Sequence, residues 1–238
     1  MAKRPVYLPV TGKSHLPGAL EQEVAFTWFS GLSTSQKQKS ILSLHDHIKR
    51  NSLAANPLEI SSKSHQMLGV SLSAFNLMMT VPGSPSDVAS VETIYQSSKV
   101  FGGNPRTDED RYLLSPRDAR QRAQQLGGNV PFTGWSLDGN DVHLETRTSF
   151  YDWLYLRALG ENLHLQRCIT EYDCFTDIEF NPKKSLACQA RSAAIGVSAK
   201  WLLGDISIYE ESLFKLVSSS QLHGQPATVQ HGLPGIGS

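Results

Sequence analysis

Between Ser185 and Leu203 the chain carries Ala187, Ala190, Ser192, Ala193, Ala194, Gly196, Ser198 and Ala199. The run reads as a helix, and small side chains on every side of it let neighbouring backbones come close. The spacing therefore predicts a central helix with the other elements wrapped around it. A chain of 238 residues that is 39% apolar has ample material for the wrapping. Its 22 basic and 22 acidic residues cancel, and only 18% of positions are charged, which excludes a disordered chain. The balance also excludes a protein that coats nucleic acid nonspecifically, since that needs an excess of Lys and Arg, but it leaves room for a small local basic site. No apolar run of about 18 residues is present to span a membrane. The start, MAKRPVYLPVTGK, lacks the apolar stretch of a secretory signal. Cys168, Cys174 and Cys188 are an odd number without a C-x-x-C pair, and read as reduced thiols in a cytoplasmic protein.

The first elements read as strand then helix. Val24, Phe26 and Trp28 recur every second residue, as a half-buried strand requires. Ser33-Thr34-Ser35 offers caps for a helix with Ile41, Leu44 and Ile48 on one stripe and Lys37, Lys39 and Lys49 on the others. Short strands are expected at 58–60 and 72–77. Ser84-Pro85-Ser86-Asp87 and Ser115-Pro116-Arg117-Asp118 both place Ser at N-cap, Pro at N1 and Asp at N3, predicting helices over 85–101 and 116–126. An irregular or β stretch runs to about residue 145. Helices follow around Phe150–Leu156 and Leu163–Ile169, then a strand at 175–180 stopped by Asn181-Pro182. Ser207-x-x-Glu210 reads as a capping box for the last helix. The fold class is α+β: one mostly helical domain over 1–217 with a small β-sheet, and a flexible tail over 218–238.

Several common chemistries are missing. Gly232-Leu233-Pro234-Gly235-Ile236-Gly237 has no strand before it and no helix after it, so it is not a phosphate loop. No Walker, G-x-S-x-G or zinc spacing occurs. His45 and His47, two apart on a helix, point away from each other and make a poor metal pair. Cys188, inside the small-residue helix, reads as packing. The expectation is no metal and no cofactor.

Two polar groupings remain. On a helix over 85–101, Glu92, Tyr95, Gln96 and Lys99 stand at i, i+3, i+4 and i+7 and share one face, with Glu92 and Lys99 about 10 Å apart along the axis. A solvated face explains this pattern as well as a carboxylate and an amine facing one cleft does. Where strand 175–180 ends, Asp177 and Glu179 fall on one side, followed by Lys183, Lys184, Gln189 and Arg191. Paired carboxylates there suit acid and base roles, or an exposed edge balanced by lysines. Lys183 and Lys184 precede a helix start, a place for phosphate.

Val91-Glu92-Thr93-Ile94-Tyr95-Gln96-Ser97-Ser98-Lys99-Val100-Phe101 resembles the hallmark V-E-H-x-x-Q-x-x-K-F segment of the NADAR superfamily, the YbiA-like proteins. In order around it, Leu72-Ser73-Ala74-Phe75-Asn76 looks like that family's L-S-N-F, and Ser115-Pro116-Arg117-Asp118-Ala119-Arg120 like its T-P-x-E-A-K. Phe175-Thr176-Asp177-Ile178 and Cys188-Gln189-Ala190-Arg191 fall where the family has F-W-G-I and G-Q-N-x-L-G. The likeness covers about residues 58–200; the first 55 residues and an insertion around 130–175 are unlike compact members. Thr93 stands where the family has His, and Ala74 where it has Asn.

The resemblance implies N-glycoside hydrolysis: release of ribosyl groups from a nitrogen base, including ADP-ribose from guanine in nucleic acid, or from early riboflavin-pathway intermediates. Lys99 matches the lysine taken to form a Schiff base with the anomeric carbon, with Glu92 as acid or base and Asp177 beside them. Tyr95, Gln96, Phe75, Asn76, Glu179 and Gln189 would line the substrate, Arg117, Arg120 or Lys183 would hold phosphate, and Trp135 would stack on a base. The expected partners are a nucleotide or ADP-ribosylated substrate, and nucleic acid through a local basic site. Two other readings stand beside the enzyme: a sensor that binds a nucleotide or ADP-ribosyl group without turnover, and a partner-binding subunit using helix 150–156.

Overall fold

The computed structural model describes residues 1–12, 16–104, 110–137, 140–143, 147–182, 185 and 187–219. At its centre lies α7, Gln189–Leu203, with nine buried residues from Ala190 to Ala199. It begins at Gln189 rather than at residue 185, since Cys188 is still extended and takes the N-cap position. On one side it meets α5, Arg147–Glu161, and α8, Ile206–Ser219; on the other it meets a sheet. The small side chains are what allow this. A Cβ at Gly196 would come within 3.0 Å of Leu156 and Leu159 on α5.

The sheet has the order β2-β1-β9-β3, built from β1, Ala2–Pro9, β2, Ala19–Phe26, β3, Pro57–Glu59, and β9, Cys174–Thr176. The first strand was not expected, because Arg4-Pro5 and Leu8-Pro9 weaken its alternation. Helix α1, Thr34–Arg50, covers the face opposite α7, and its Ile41, Leu44 and Ile48 pack on Val6, Val24, Phe26, Cys174 and Ile178. Ser33 caps it as anticipated, accepting the N–H of Gln36. The second cluster is larger and joins Tyr7, Leu58 and Phe175 to Phe150, Leu154, Tyr155 and the small residues of α7. The β content is therefore three small sheets rather than one: this sheet, a hairpin of β4, Met78–Val81, with β5, Ser84–Ser90, and a three-stranded β6-β7-β8.

The helix expected over 85–101 is three elements. Val81-Pro82-Gly83-Ser84 turns the chain into the β4–β5 hairpin, with Gly83 at a positive φ of 79° that a turn after proline favours. Ser84 then donates to Asp87 Oδ2 at 2.6 Å instead of capping anything. The helix is α3, Val91–Ser97, and Ser90 is its cap, accepting the N–H of Thr93 at 3.1 Å. The chain leaves it through Ser98 into β6, Lys99–Phe101, paired with β7, Phe132–Leu137, which also pairs with β8, Asn140–His143. The second Ser-Pro-x-Asp cap does hold: Ser115 accepts the N–H of Asp118 and heads α4, Pro116–Gly127. It is followed by strong helix formers, whereas residues 84–90 are held as a strand by their pairing with β4.

Three smaller corrections concern the site. Residues 72–77 are a turn after the short helix α2, Met67–Ser71, with Asn76 and Leu77 N–H both bonded to Ser73 O. β9 stops at Thr176, so 177–180 is also a turn, in which Asp177 Oδ1 accepts the N–H groups of Glu179 and Phe180. The capping box at α8 is absent: Asp205 accepts the N–H of Ser207, and Glu210 accepts the indole N–H of Trp153. Helix 163–169 is present as α6, Leu163–Ile169. Residues 218 and 219 belong to α8; the rest of the expected tail, with Gly232–Gly237, lies outside the described residues. No described helix is long and apolar enough to cross a membrane.

Candidate active site

The start of α3 is bound to the turn that precedes β4. Ala74 O accepts the N–H of Glu92 at 2.9 Å, and Leu77 O accepts that of Val91 at 3.0 Å. These are two of the amides that a helix leaves without partners at its beginning. The segments carrying Phe75 and Glu92 are thus fixed to each other by backbone. Glu92 is 4% exposed, and its Oε1 accepts from Gln96 Nε2 at 3.0 Å and from Arg120 Nε at 3.1 Å, with Arg120 Nη2 also at 3.0 Å. Arg120 comes from α4, and its guanidinium lies over the ring of Phe75, 5.5 Å from the centroid.

Lys99 reaches the same place from β6, not from the helix. Paired with Trp135 across the ladder, it sets Nζ 5.4 Å from the centre of the Tyr95 ring and 5.9 Å from that of Phe132. Among the described residues it has ring faces for neighbours and no hydrogen-bond acceptor. Burial among these rings pushes the amine below the ordinary lysine value; Glu92 opposes that shift and Arg120 adds to it. A larger neutral fraction follows, and the neutral amine is the nucleophilic form.

The rings form a wall. Tyr95 packs on Trp135, Phe150 and Tyr151, with centroids 5.5, 6.2 and 5.1 Å away, and Phe132 packs edge-on against Trp135. Trp135 is 2% exposed, and its indole N–H has no partner among the described residues. It therefore supports Tyr95 from behind instead of offering an open face to a base. Tyr151 was missed in the sequence, where Phe150-Tyr151-Asp152-Trp153 reads as core. Burial, then the charge of Glu92, raise its phenol well above the ordinary value, and Asp177 acts in the same direction. Its neighbours on α5, including Phe150, Trp153 and Leu154, are buried. The helix presents no exposed aromatic face, which removes the ground for reading 150–156 as an interface.

Asp177 and Gln189 stand behind this cluster. Gln189 Nε2 donates to Asp177 Oδ2 at 2.9 Å, and its Oε1 accepts the N–H of Ala74 at 2.8 Å. Asp177 and Glu59 are both buried acids, and each has its carboxyl raised by loss of water, Asp177 further by the charge of Glu59. Glu59 accepts from Ser61 Oγ, Ile178 N and Thr176 Oγ1 at 2.7, 2.8 and 2.5 Å. Thr176 Oγ1 in turn meets His45 Nε2 at 2.9 Å. The carboxylate pair expected on one strand face, Asp177 with Glu179, is not formed, because the turn sends them apart. Glu179 is exposed and pairs with Lys37 at 3.1 Å.

Lys99, Glu92, Tyr95, Gln96, Arg120 and Phe75 are therefore brought together, with Asp177 and Gln189 one layer back. Asn76 has its amide bound to Val70 O and Ser73 Oγ. Arg117 is exposed one turn before Arg120 on the same side of α4. Lys183 and Lys184 lie outside the described residues. His47 bonds Ser43 O, and no cluster of metal-ligating side chains occurs among the described residues.

The site is thus a half-buried lysine beside a buried carboxylate and an arginine, on a helix–strand joint in an α+β fold. The chain belongs to the family described as the DarT1-associated NADAR antitoxins, whose profile it matches over residues 2–225. That match takes in the first 55 residues as well as the motifs. No curated protein matches the chain.

Proposed function

We propose that the chain is an N-glycoside hydrolase that removes an ADP-ribosyl group from a guanine base, and so acts as an antitoxin of the kind its family description names. The observation that carries this reading is Lys99: an amine among aromatic rings, lowered toward its neutral form, with the Glu92 charge favouring the protonated form. Lys99 Nζ attacks the anomeric carbon of the ribose, and the bond from that carbon to the base nitrogen breaks. The base leaves with a proton, supplied through Glu92. Opening of the sugar ring moves the ring C–O electrons onto oxygen, which takes up a proton as the amine loses one, leaving a protonated Schiff base. Water adds to the imine carbon and expels Lys99 as the amine. The sum is one water consumed, with ADP-ribose and the unmodified guanine formed, and no cofactor in any step.

In this reading Arg120 lies where an anionic diphosphate would meet a cation, with Arg117 one turn away. The exposed ring of Phe75 and the half-buried ring of Tyr95 contact the ligand, and Gln96 holds the Glu92 carboxylate. Asp177 acts from behind, through Gln189. The test is release of ADP-ribose from guanine-ADP-ribosylated DNA, with Lys99→Ala as the control and borohydride trapping of the adduct. Turnover with a trapped adduct that the control lacks supports the enzyme. Tight binding of ADP-ribose with neither turnover nor adduct would instead support the sensor.

A further inference from the structure

The zero net charge of the chain hides a polarity. Residues 1–55 carry seven Lys and Arg against three Asp and Glu, a net of +4, and residues 56–238 carry the balancing −4. The fold then sorts the signs within the first part. On β2, Val24 and Phe26 turn toward α1, so the alternating side chains of Glu21 and Glu23 turn to the opposite face, where Glu23 pairs with Lys3 at 2.7 Å. The α1 side keeps the cations. Lys39, Lys49 and Arg50 stand on the exposed stripe of the helix with Asp46, which is 4.0 Å from Arg50. At the start of the helix, Arg4 and Lys37 lie against Trp28, 5.3 and 4.8 Å from the ring centre.

The start of α1 is tied to the turn behind the candidate active site. Lys37 on its sheet-facing side is joined to Glu179, two residues past Asp177, which reaches the backbone of Ala74 through Gln189. His65 Nε2 meets Gln38 O of α1, and the chain from His65 runs through α2 directly to Phe75.

Resting on the N-glycosidase reading, we infer that the α1 face of the N-terminal sheet holds the phosphate backbone of the nucleic-acid strand that flanks the modified base. The anomeric carbon that Lys99 attacks is joined directly to the base, so the modified base is drawn up to the half-buried amine and the strand on either side lies against the protein surface around it. An exposed cationic helix holds the phosphates of that strand without reading sequence. A protein partner would seek apolar anchors at its centre, whereas this stripe has one, Leu42, among three cations.

The experiment uses the full chain carrying Lys99→Ala, so that turnover plays no part, and an unmodified single-stranded guanine-containing oligonucleotide. Kd is measured across salt with and without Lys39→Glu, Lys49→Glu and Arg50→Glu together, and with the corresponding three Gln substitutions. Loss of three phosphate contacts lowers the log–log salt slope by about 2, so from about 50 to about 200 mM salt the parent loses ~20-fold more affinity than either variant. In the active background KM for an ADP-ribosylated oligonucleotide rises, while kcat/KM for an ADP-ribosylated guanine mononucleotide stays the same. A Kd within about twofold of the parent and an unchanged slope overturn the proposal. So does loss of binding to the purified toxin with oligonucleotide binding intact. Failure of Lys99-dependent turnover with the salt slope still altered overturns the enzyme reading and leaves the strand surface in place.

Discussion

Gln189 accepts the backbone N–H of Ala74 at 2.8 Å, and Ala74 O accepts the N–H of Glu92 at 2.9 Å. One side chain on the central helix thereby sets the turn that starts α3. Since Gln189 also donates to Asp177, the buried acid is coupled to the glutamate without touching it.

Gln189→Ala removes that coupling. It leaves the Ala74 N–H and the buried Asp177 Oδ2 without their partner, which costs about 1–3 kcal/mol in urea unfolding. The turn that holds the Glu92 backbone loses its anchor, so kcat falls together with stability. If kcat on a modified substrate is unchanged in a folded variant, Gln189 does not position the site.

The pH profile separates the groups around Lys99. The neutral amine attacks, so kcat/KM rises with pH and levels off below the ordinary lysine value of 10.5. Arg120 holds the amine down and Glu92 holds it up. Arg120→Ala therefore moves the inflection to higher pH, and Glu92→Gln moves it lower while also reducing the plateau. Inflections that do not move, or move the other way, assign the titration to another group.

Ser90 and Ser84 test where α3 begins. Ser90→Ala removes the side chain that accepts the Thr93 N–H and costs about 1 kcal/mol. Ser84→Ala loses only a contact with Asp87 in a half-exposed hairpin and costs less. Equal losses in thermal or chemical unfolding would contradict this boundary.

His45 imposes an acid limit. Burial, and then Lys49, bring its imidazole to about 4 from 6.5. Between those values the unfolded chain binds a proton that the folded chain refuses. Stability is full above pH 6.5 and falls toward pH 4. The half-open ring makes the loss about 1–2 kcal/mol, less than the whole shift converts to. His45→Gln, which keeps an N–H for Thr176, should flatten that part of the stability curve relative to the parent.

The elements legible in the sequence were those whose signals are local. The small residues of α7, the stripe on α1 and the Ser115 cap each state their own structure. Ser84-Pro85-Ser86-Asp87 matches Ser115-Pro116-Arg117-Asp118 residue type for residue type at three of four places, yet folds as a strand. The deciding information lay outside it, in Pro82-Gly83 before and in β4, which had to be present to pair. Lys99 and Glu92 stand out in the sequence by helical spacing and by a motif, but the lysine is on a strand and shares no helical face with the glutamate. What joins them depends on β7, which approaches from more than thirty residues away. Tyr151 could not be told from core by type, because it is core: burial first, and then the Glu92 charge that another segment brings near, set its character.

The two-residue passage from Ser97 to Lys99 changes a helical period of 3.6 into a strand period of 2. Such a joint tolerates substitution far better than a change in length. One residue inserted after Ser98 would turn the lysine to the opposite face of the β6 ladder while Glu92 stayed beside Arg120. The spacing between the glutamate and the lysine thus works as a phase setting, and a search for distant relatives of this chain should hold that interval fixed while letting the residues within it vary.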